Sequence, residues 1–420
     1  MADEKWLHTM EVYDDYEREI ARLRSEKELV FPITEQRRAE IIKETKRILG
    51  YKEELVPTVH NAEELQKHDF GEYTVTQLRY ETWDNFFGCA SFFLPKGEGK
   101  VPMVFLLCGH GDDGRRTRSY VMMAHKLASA GVAVVIPDNI GQGDRQDEGK
   151  ENHNFCHTPF YCGISLQGMI VMETHAVVKY MINHPRADKD RIGACGNSGG
   201  GTLSLFAAAT IPEIKVLSAS GYPCDFTYIL MKERRHCCCN LLPGIACGPE
   251  MWEVLSTFAP KPMLLEQGQY DDLIPIDLAQ RNARKVQNVY IQLGKKENFN
   301  FMFTKEKHSW TEADILAISE FLLKHLGIPF DNSIPSEEIT EKRSEWHVDI
   351  LDRSLKTAEI AEVITGIAMP EDTQLWDIFK PKYKGRVISG DEIVNDIGRG
   401  DVMRVLAQFE CTVRGYGDET

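Results

Sequence analysis

Hydrophobic and polar positions change their period along this chain. Between residues 10 and 50, apolar residues recur every three to four positions, and the spacing predicts helices over this stretch, one of them capped by Thr34. Residues 73–82 instead alternate apolar and polar positions, and residues 86–94 are rich in aromatic side chains. This second pattern is typical of an antiparallel strand pair.

From residue 102 onward, short apolar runs alternate with helical patterns. The predicted strands are 102–108, 132–137, 192–195, 216–220, 263–267 and 300–303, and the predicted helices are 120–130, 166–183, 202–209, 276–289 and 312–326. Such alternation builds a mostly parallel sheet covered by helices on both faces, with ligands bound at the carboxyl ends of the strands. The chain is therefore assigned to the α/β class.

A G-x-S-x-G pattern, Gly196-Asn197-Ser198-Gly199-Gly200, lies between a predicted strand and a predicted helix. In an elbow of this kind the glycines let two segments pass close together. The serine is held in a strained backbone conformation with its hydroxyl at the helix N-terminus. Ser198 is therefore a candidate nucleophile.

Two downstream loops supply the partners that a serine nucleophile requires. A serine hydroxyl needs a histidine to accept its proton and an acid to orient that histidine. Asp271 follows the strand 263–267, and His308 lies between the strand 300–303 and the final helix of the alternation. The order serine, acid, histidine is the one expected for this fold. Asp272 competes with Asp271 for the role of the acid.

Backbone donors for an oxyanion are expected from two turns. Attack on a carbonyl carbon creates an oxyanion, which preorganised N–H groups stabilise. One donor is the amide of Gly199, directly after the candidate nucleophile. The other belongs to the glycine-rich turn that follows the strand 102–108, where we favour the amide of His110 and place Gly111 next.

Composition excludes several classes of partner. The 49 basic and 64 acidic residues give a net charge of −15, so we expect neither nucleic acid nor an anionic membrane as a partner. The charged N-terminus and an odd total of 11 cysteines favour a cytoplasmic protein with reduced thiols. His236 and residues 237–239 invite a zinc hypothesis, but no C-x-x-C pair accompanies them, so we predict no metal site.

The chain divides into three predicted segments. Residues 1–69 form a helical N-terminal extension, 70–327 the α/β catalytic domain, and 328–420 a C-terminal extension of unknown role with a helix predicted over 337–364. Residues 221–259 interrupt the alternation and predict a cap-like insertion over the site, although a peripheral excursion is the alternative. Trp252, Tyr228 and His236 are its candidates for a substrate pocket.

These motifs resemble those of the α/β-hydrolase superfamily and, more narrowly, of its esterase branch, similar to acetyl xylan esterases and dienelactone hydrolases. The resemblance covers about residues 70–327 and rests on LCGHG (107–111), IPDNIGQG (136–143), DRIG (190–193), GNSGGG (196–201), HCCCNLLPG (236–244) and GQYDDLIP (268–275). It implies a Ser198, Asp271 and His308 triad acting on short acyl esters, often acetyl esters of carbohydrates. Cys108 departs from the histidine that is usual in the glycine-rich turn.

The sequence thus predicts a serine hydrolase that cleaves carboxylic esters of a small molecule through an acyl-serine intermediate and needs no cofactor. Two alternatives remain open. One is an acyl transferase or small-peptide hydrolase with the same triad, and the other is a ligand-binding protein on the same fold that has lost turnover. The terminal extensions also suggest a homo-oligomer.

Overall fold

The computed structural model describes residues 33–146, 158–231, 238–240, 242, 244–245, 248–332, 339, 342–350 and 354–368. Nine strands within them form a sheet of order β1-β2-β3-β5-β4-β6-β7-β8-β9. In chain order they are His60–Asp69 (β1), Tyr73–Glu81 (β2), Phe87–Pro95 (β3), Val101–Leu107 (β4), Ala133–Pro137 (β5), Ala187–Asn197 (β6), Val216–Ser220 (β7), Met263–Gly268 (β8) and Phe299–Thr304 (β9). Strands β4 to β9 run parallel, whereas β1 to β3 pair antiparallel with their neighbours.

Helices connect most of the parallel strands. The α-helices of the described residues are Glu35–Leu49 (α1), Arg118–Ser129 (α2), Thr158–Tyr161 (α3), Leu166–Met181 (α4), Gly199–Thr210 (α5), Phe226–Met231 (α6), Met251–Ser256 (α7), Ile276–Gln292 (α8), Glu312–His325 (α9) and Thr357–Thr365 (α10). Among these described segments, no helix combines the length and the apolar character that crossing a bilayer requires.

The central strands are buried on both faces, as expected for a parallel sheet between helices. In β4, Met103, Phe105 and Leu107 enter one hydrophobic cluster, while Val104 and Leu106 enter the other. Helices α1, α4, α5, α7 and α8 cover the first face, and α2 and α9 cover the second. The predicted α/β architecture is confirmed, and the strands and helices predicted from residue 102 onward are all present, with ends that differ by five residues or fewer.

The N-terminal part of the chain contains a strand that the sequence pattern did not predict. Helix α1 is present and capped by Thr34, whose hydroxyl accepts the amide proton of Arg37 at 3.1 Å. Strand β1, however, lies inside the segment 1–69 that we assigned to a helical extension. It is an edge strand with mostly exposed side chains, so backbone pairing with β2 holds it and no apolar alternation marks it in the sequence. The helix predicted nearer the N-terminus lies outside the described residues.

The C-terminal segment is extended where a helix was predicted. Trp346, Val348 and Ile350 are buried and alternate with exposed residues, which is the period of a strand. Trp346 packs at right angles against the rings of Phe70 and Phe93. The helix predicted over 337–364 is therefore wrong in extent: within the described part of that range a short 3-10 helix covers Lys342–Glu345, residues 346–350 are extended, and the α-helix α10 begins only at Thr357. We call residues 346–350 the strap.

Candidate functional site

Ser198 lies at the sharp turn between β6 and α5. Its backbone has φ 58° and ψ −119°, a conformation that side-chain-bearing residues rarely adopt and that marks stored strain at functional sites. Backbone from neighbouring strands packs closely against this turn. A Cβ atom on Gly200 would lie 2.0 Å from the carbonyl oxygen of Leu107, and one on Gly201 would lie 2.2 Å from that of Ser220. Only glycine fits at these two positions, so the local sequence dictates the elbow.

Three side chains from separate loops form one chain of hydrogen bonds at the carboxyl ends of the strands. The Oγ atom of Ser198 lies 2.8 Å from Nε2 of His308. The Nδ1 atom of the same imidazole lies 2.8 Å from Oδ2 of Asp271. The structure therefore brings together the three residues that the sequence pointed to, with the histidine between the hydroxyl and the carboxylate.

The carboxylate of Asp271 is held by donors on all sides. Its Oδ2 accepts from Nε2 of Gln267 at 2.7 Å, and its Oδ1 accepts from the amides of Leu273 at 2.7 Å and Ile274 at 3.1 Å. Burial by itself would raise the pKa of Asp271, but the bond from His308 and the two amides outweigh it, and the pKa is lowered. The neighbouring Asp272 is exposed, and the imidazole contacts Asp271.

The glycine-rich turn lies beside the nucleophile. A Cβ atom on Gly109 would lie 3.1 Å from Cβ of Ser198 and 2.5 Å from the carbonyl oxygen of Asn197, so the two loops touch through glycine. The amide of Gly109 donates to the hydroxyl of Tyr120 at 2.7 Å. The amide of Ser198 donates to the carbonyl oxygen of Ser220 at 3.0 Å. Both amides are therefore engaged within the protein.

His110 stands at the open side of the site. A Cβ atom on Gly199 would lie 2.8 Å from its Nδ1 atom, so the imidazole packs against the first turn of α5. The residue is exposed, yet the protein around the ring desolvates it, and this effect together with nearby His308 lowers the pKa of His110 to about 4. The imidazole is accordingly neutral at pH 7. Cys239, in a short turn of the predicted insertion, brings its sulfur to 3.7 Å from Nε2 of His110.

The candidates for the substrate pocket have different outcomes. Trp252 is only 2% exposed and packs in the hydrophobic core, and its assignment to the substrate pocket stays a prediction. Tyr228 is half-buried, and its hydroxyl donates to the carbonyl oxygen of Leu273 at 3.2 Å, on the loop that carries Asp271. His236 lies outside the described residues, and its role stays a prediction.

One cysteine is disulfide-bonded, and another lies in a cluster with two carboxylates. Cys239 is disulfide-bonded, so the expectation of reduced thiols throughout is wrong for it. Cys89, Asp138 and Asp144 lie close enough together to hold a cation. The guanidinium of Arg115 already fills that place, because it is fully buried, bonds Asp138 and reaches Asp144 at 2.8 Å. We interpret this cluster as a structural ion pair.

Several residues around the site carried no signal in the sequence. Tyr120 lies within a predicted helix, and Gln267 is the last residue of a predicted strand, so neither stands in a motif. Glu266, also near the end of β8, is 5% exposed. Its burial and, to a smaller extent, the charge of Asp314 raise its pKa to about 8. Contacts of this kind depend on side-chain directions in three dimensions, which periodicity does not encode.

The sequence of this chain is similar to an esterase family model and to one hydrolase. The family model described as acetyl xylan esterase (AXE1) matches residues 52–238. A protein of Bacillus subtilis named "Putative hydrolase YtaP" is 27% identical over 251 residues, which are 56% of this chain and 83% of that protein.

Solved structures of esterases share the fold. Methylesterase BT1017 superposes with a TM-score of 0.67 at 20% identity, covering 83% of this chain and 78% of its own. A glucuronoyl esterase from Solibacter usitatus gives a TM-score of 0.52 at 12% identity, covering 70% of this chain and 93% of its own. At these identities the structural likeness establishes the fold alone.

Proposed function

We propose that this chain, which has an α/β-hydrolase fold and resembles the esterase branch of that superfamily, is a serine esterase that cleaves carboxylic esters through an acyl-serine intermediate. The observation that carries the proposal is the chain of hydrogen bonds from Ser198 through His308 to Asp271 at a strained elbow. The match to the acetyl xylan esterase model supports an ester as the substrate.

In the proposed acylation step, Nε2 of His308 accepts the proton of Ser198 as Oγ attacks the carbonyl carbon of the ester. Asp271 stabilises the imidazolium that forms and keeps the other ring proton on Nδ1. The imidazolium then donates its proton to the departing alkoxide, which leaves an acyl-serine. In deacylation His308 accepts a proton from water as the water oxygen attacks the acyl carbon. The imidazolium then returns this proton to Oγ of Ser198 as the bond between Oγ and the acyl carbon breaks, which releases the carboxylic acid.

Hydrogen bonds within the protein limit which backbone amides are available to bind the oxyanion. The amides of Ser198 and Gly109 are bonded within the protein, so we propose that neither contributes. The amide of Gly199 is the first of α5, and the first amides of a helix have no intrahelical partner. We therefore propose Gly199 as one donor and His110 as the other, with Gly111 as the alternative.

We propose a short acyl group, such as acetyl, on a carbohydrate or another small molecule as the substrate. The named acetyl xylan esterase family and the carbohydrate-directed names of structural relatives support this choice of class. The mechanism assigns no step to a cofactor or a metal. A cytoplasmic location and assembly through the terminal segments stay predictions from the sequence.

A fluorophosphonate probe tests the nucleophile directly. Wild type should be labelled, and Ser198→Ala should lose both labelling and at least about 10⁴-fold in kcat on p-nitrophenyl acetate. Ser204→Ala is the matched control, because this serine lies in the same helix, is fully buried and its hydroxyl has no partner among the described residues. It should be labelled and active like wild type.

The acyl preference follows from a series of p-nitrophenyl acetate, butyrate and octanoate. Hydrolysis that falls as the acyl chain lengthens supports a short-acyl esterase. Labelling with acyl transfer to an added alcohol in preference to water points to the transferase. A wild type that is neither labelled nor active contradicts the proposal and favours a ligand-binding protein on this fold.

A further inference from the structure

One peptide unit of the glycine-rich turn is held at both of its polar atoms. The carbonyl oxygen of Cys108 accepts from Nδ2 of Asn139 at 2.7 Å. The N–H of the same unit, which belongs to Gly109, donates to the hydroxyl of Tyr120 at 2.7 Å. Both side chains are buried, and Cys108 and Gly109 are buried as well. The plane of this peptide is therefore fixed directly before His110.

Tyr120 also touches the loop that carries the histidine. Its ring packs at an interplanar angle of 88° against Trp310, with centroids 5.7 Å apart, and Trp310 follows His308 by two residues. A single side chain from α2 thus contacts both the turn beside the nucleophile and the segment that presents the imidazole. Such contacts fix the distance between the two loops.

We propose that Tyr120, with Asn139, is a positioning residue that sets the orientation of the turn 108–111 for oxyanion stabilisation. The inference rests on the proposed function. Cys108 cannot steady the turn as the usual histidine would, and the clamp on its peptide unit supplies that constraint from neighbouring elements. Donors stabilise an oxyanion only when they already point at it, so rotation of this peptide would misdirect the amide of His110.

The test is Tyr120→Phe, which keeps the ring and removes the acceptor. The amide of Gly109 is then buried without its partner, and the peptide is free to rotate toward other acceptors. We expect kcat per active site to fall about 10- to 100-fold, with KM changed by less than about twofold, because the interaction acts in the transition state. The inhibition constant of a trifluoromethyl ketone, whose serine adduct carries an oxyanion, should rise by the same factor as kcat/KM falls.

Tyr290→Phe is the matched control. Its hydroxyl also makes one 2.7 Å bond to the backbone, to the carbonyl oxygen of Lys261 at the opposite end of the sheet. Rates are normalised to the end point of fluorophosphonate labelling, so a loss of folded protein does not count as a loss of catalysis. Tyr290→Phe should keep kcat per labelled site even if its stability falls as much as that of Tyr120→Phe.

A double variant adds a second criterion. Tyr120→Phe and Asn139→Leu each release one end of the same peptide unit, so their combined effect on kcat should be smaller than the product of the single effects. Independent structural roles would instead give multiplicative effects. That outcome, or a Tyr120→Phe variant with wild-type kcat per labelled site, overturns the inference.

Hydrogen–deuterium exchange separates this inference from the proposed function. In Tyr120→Phe, peptides covering 106–112 should exchange faster than in wild type and in Tyr290→Phe, whether or not the protein turns over an ester. If wild type is inactive, the proposed function fails, and the exchange result alone decides whether Tyr120 holds the turn. Unchanged exchange in this segment contradicts the inference.

Discussion

Asp271→Asn replaces one carboxylate oxygen by an NH₂ group in a site where the neighbours are donors. Oδ2 receives bonds from His308 and Gln267, and Oδ1 from the amides of Leu273 and Ile274. Backbone amides cannot change their role, so the asparagine keeps its oxygen toward them and turns its NH₂ group toward the imidazole. The histidine then moves its proton from Nδ1 to Nε2 in order to accept from the asparagine.

That tautomer cannot act as the base. An Nε2–H group would point at the hydroxyl of Ser198, which lies 2.8 Å away, and could not take its proton. The equivalent change in a serine protease triad lowers kcat by about 10⁴. At about 1.36 kcal/mol per factor of ten, this is about 5.4 kcal/mol of lost transition-state stabilisation. We expect a loss of that order here, because the same two hydrogen bonds link the three side chains.

The assay is the steady-state hydrolysis of p-nitrophenyl acetate at pH 7, with folding checked by circular dichroism and thermal unfolding. Asp272→Asn is the control, since the adjacent carboxylate is exposed. It should retain wild-type kcat. An Asp271→Asn enzyme within tenfold of wild type, or an equal loss in Asp272→Asn, would refute the reasoning about the tautomer.

Two further predictions concern stability. Arg115→Met removes the cation between the buried carboxylates of Asp138 and Asp144, and we expect a loss of about 3–5 kcal/mol in urea denaturation; a loss below about 1 kcal/mol would contradict the structural role. The pKa of Glu266, raised to about 8 by burial and then by Asp314, lies above its ordinary value of 4.5. The folded state therefore binds more protons between pH 4.5 and 8, and stability falls as pH rises through that window. Glu266→Gln should remove a few kcal/mol of this fall between pH 5 and pH 8, and an unchanged pH dependence of the unfolding free energy would argue against it.

The parallel part of the sheet could be predicted because burial on both faces leaves a direct trace in the sequence. Strands β4 and β5 are short apolar runs, and the elbow adds glycines whose spacing follows from close backbone contacts. The order of Ser198, Asp271 and His308 along the chain then placed all three at the same edge of the sheet.

The missed features have little or no trace of this kind. Strand β1 is held by backbone pairing and is mostly exposed, so its polar sequence resembles that of a surface helix. The strap differs from β1 because its buried residues do have the spacing of a strand. Trp346 and its alternating neighbours, however, stand among charged residues that favour a helix. Trp252 shows the limit for the site, since a large aromatic residue in an insertion serves a core as readily as a pocket.

The bond between Arg115 and the carbonyl oxygen of Trp346 joins residues 231 positions apart. At a synthesis rate of roughly 5–20 residues per second, Trp346 is added to the chain roughly 10–45 s after Arg115. Throughout this interval the rings of Phe70 and Phe93 lack the indole that covers them. The nascent chain therefore presents an uncovered apolar face at Phe70 and Phe93, and a chaperone that shields such surfaces would act before the strap is synthesised.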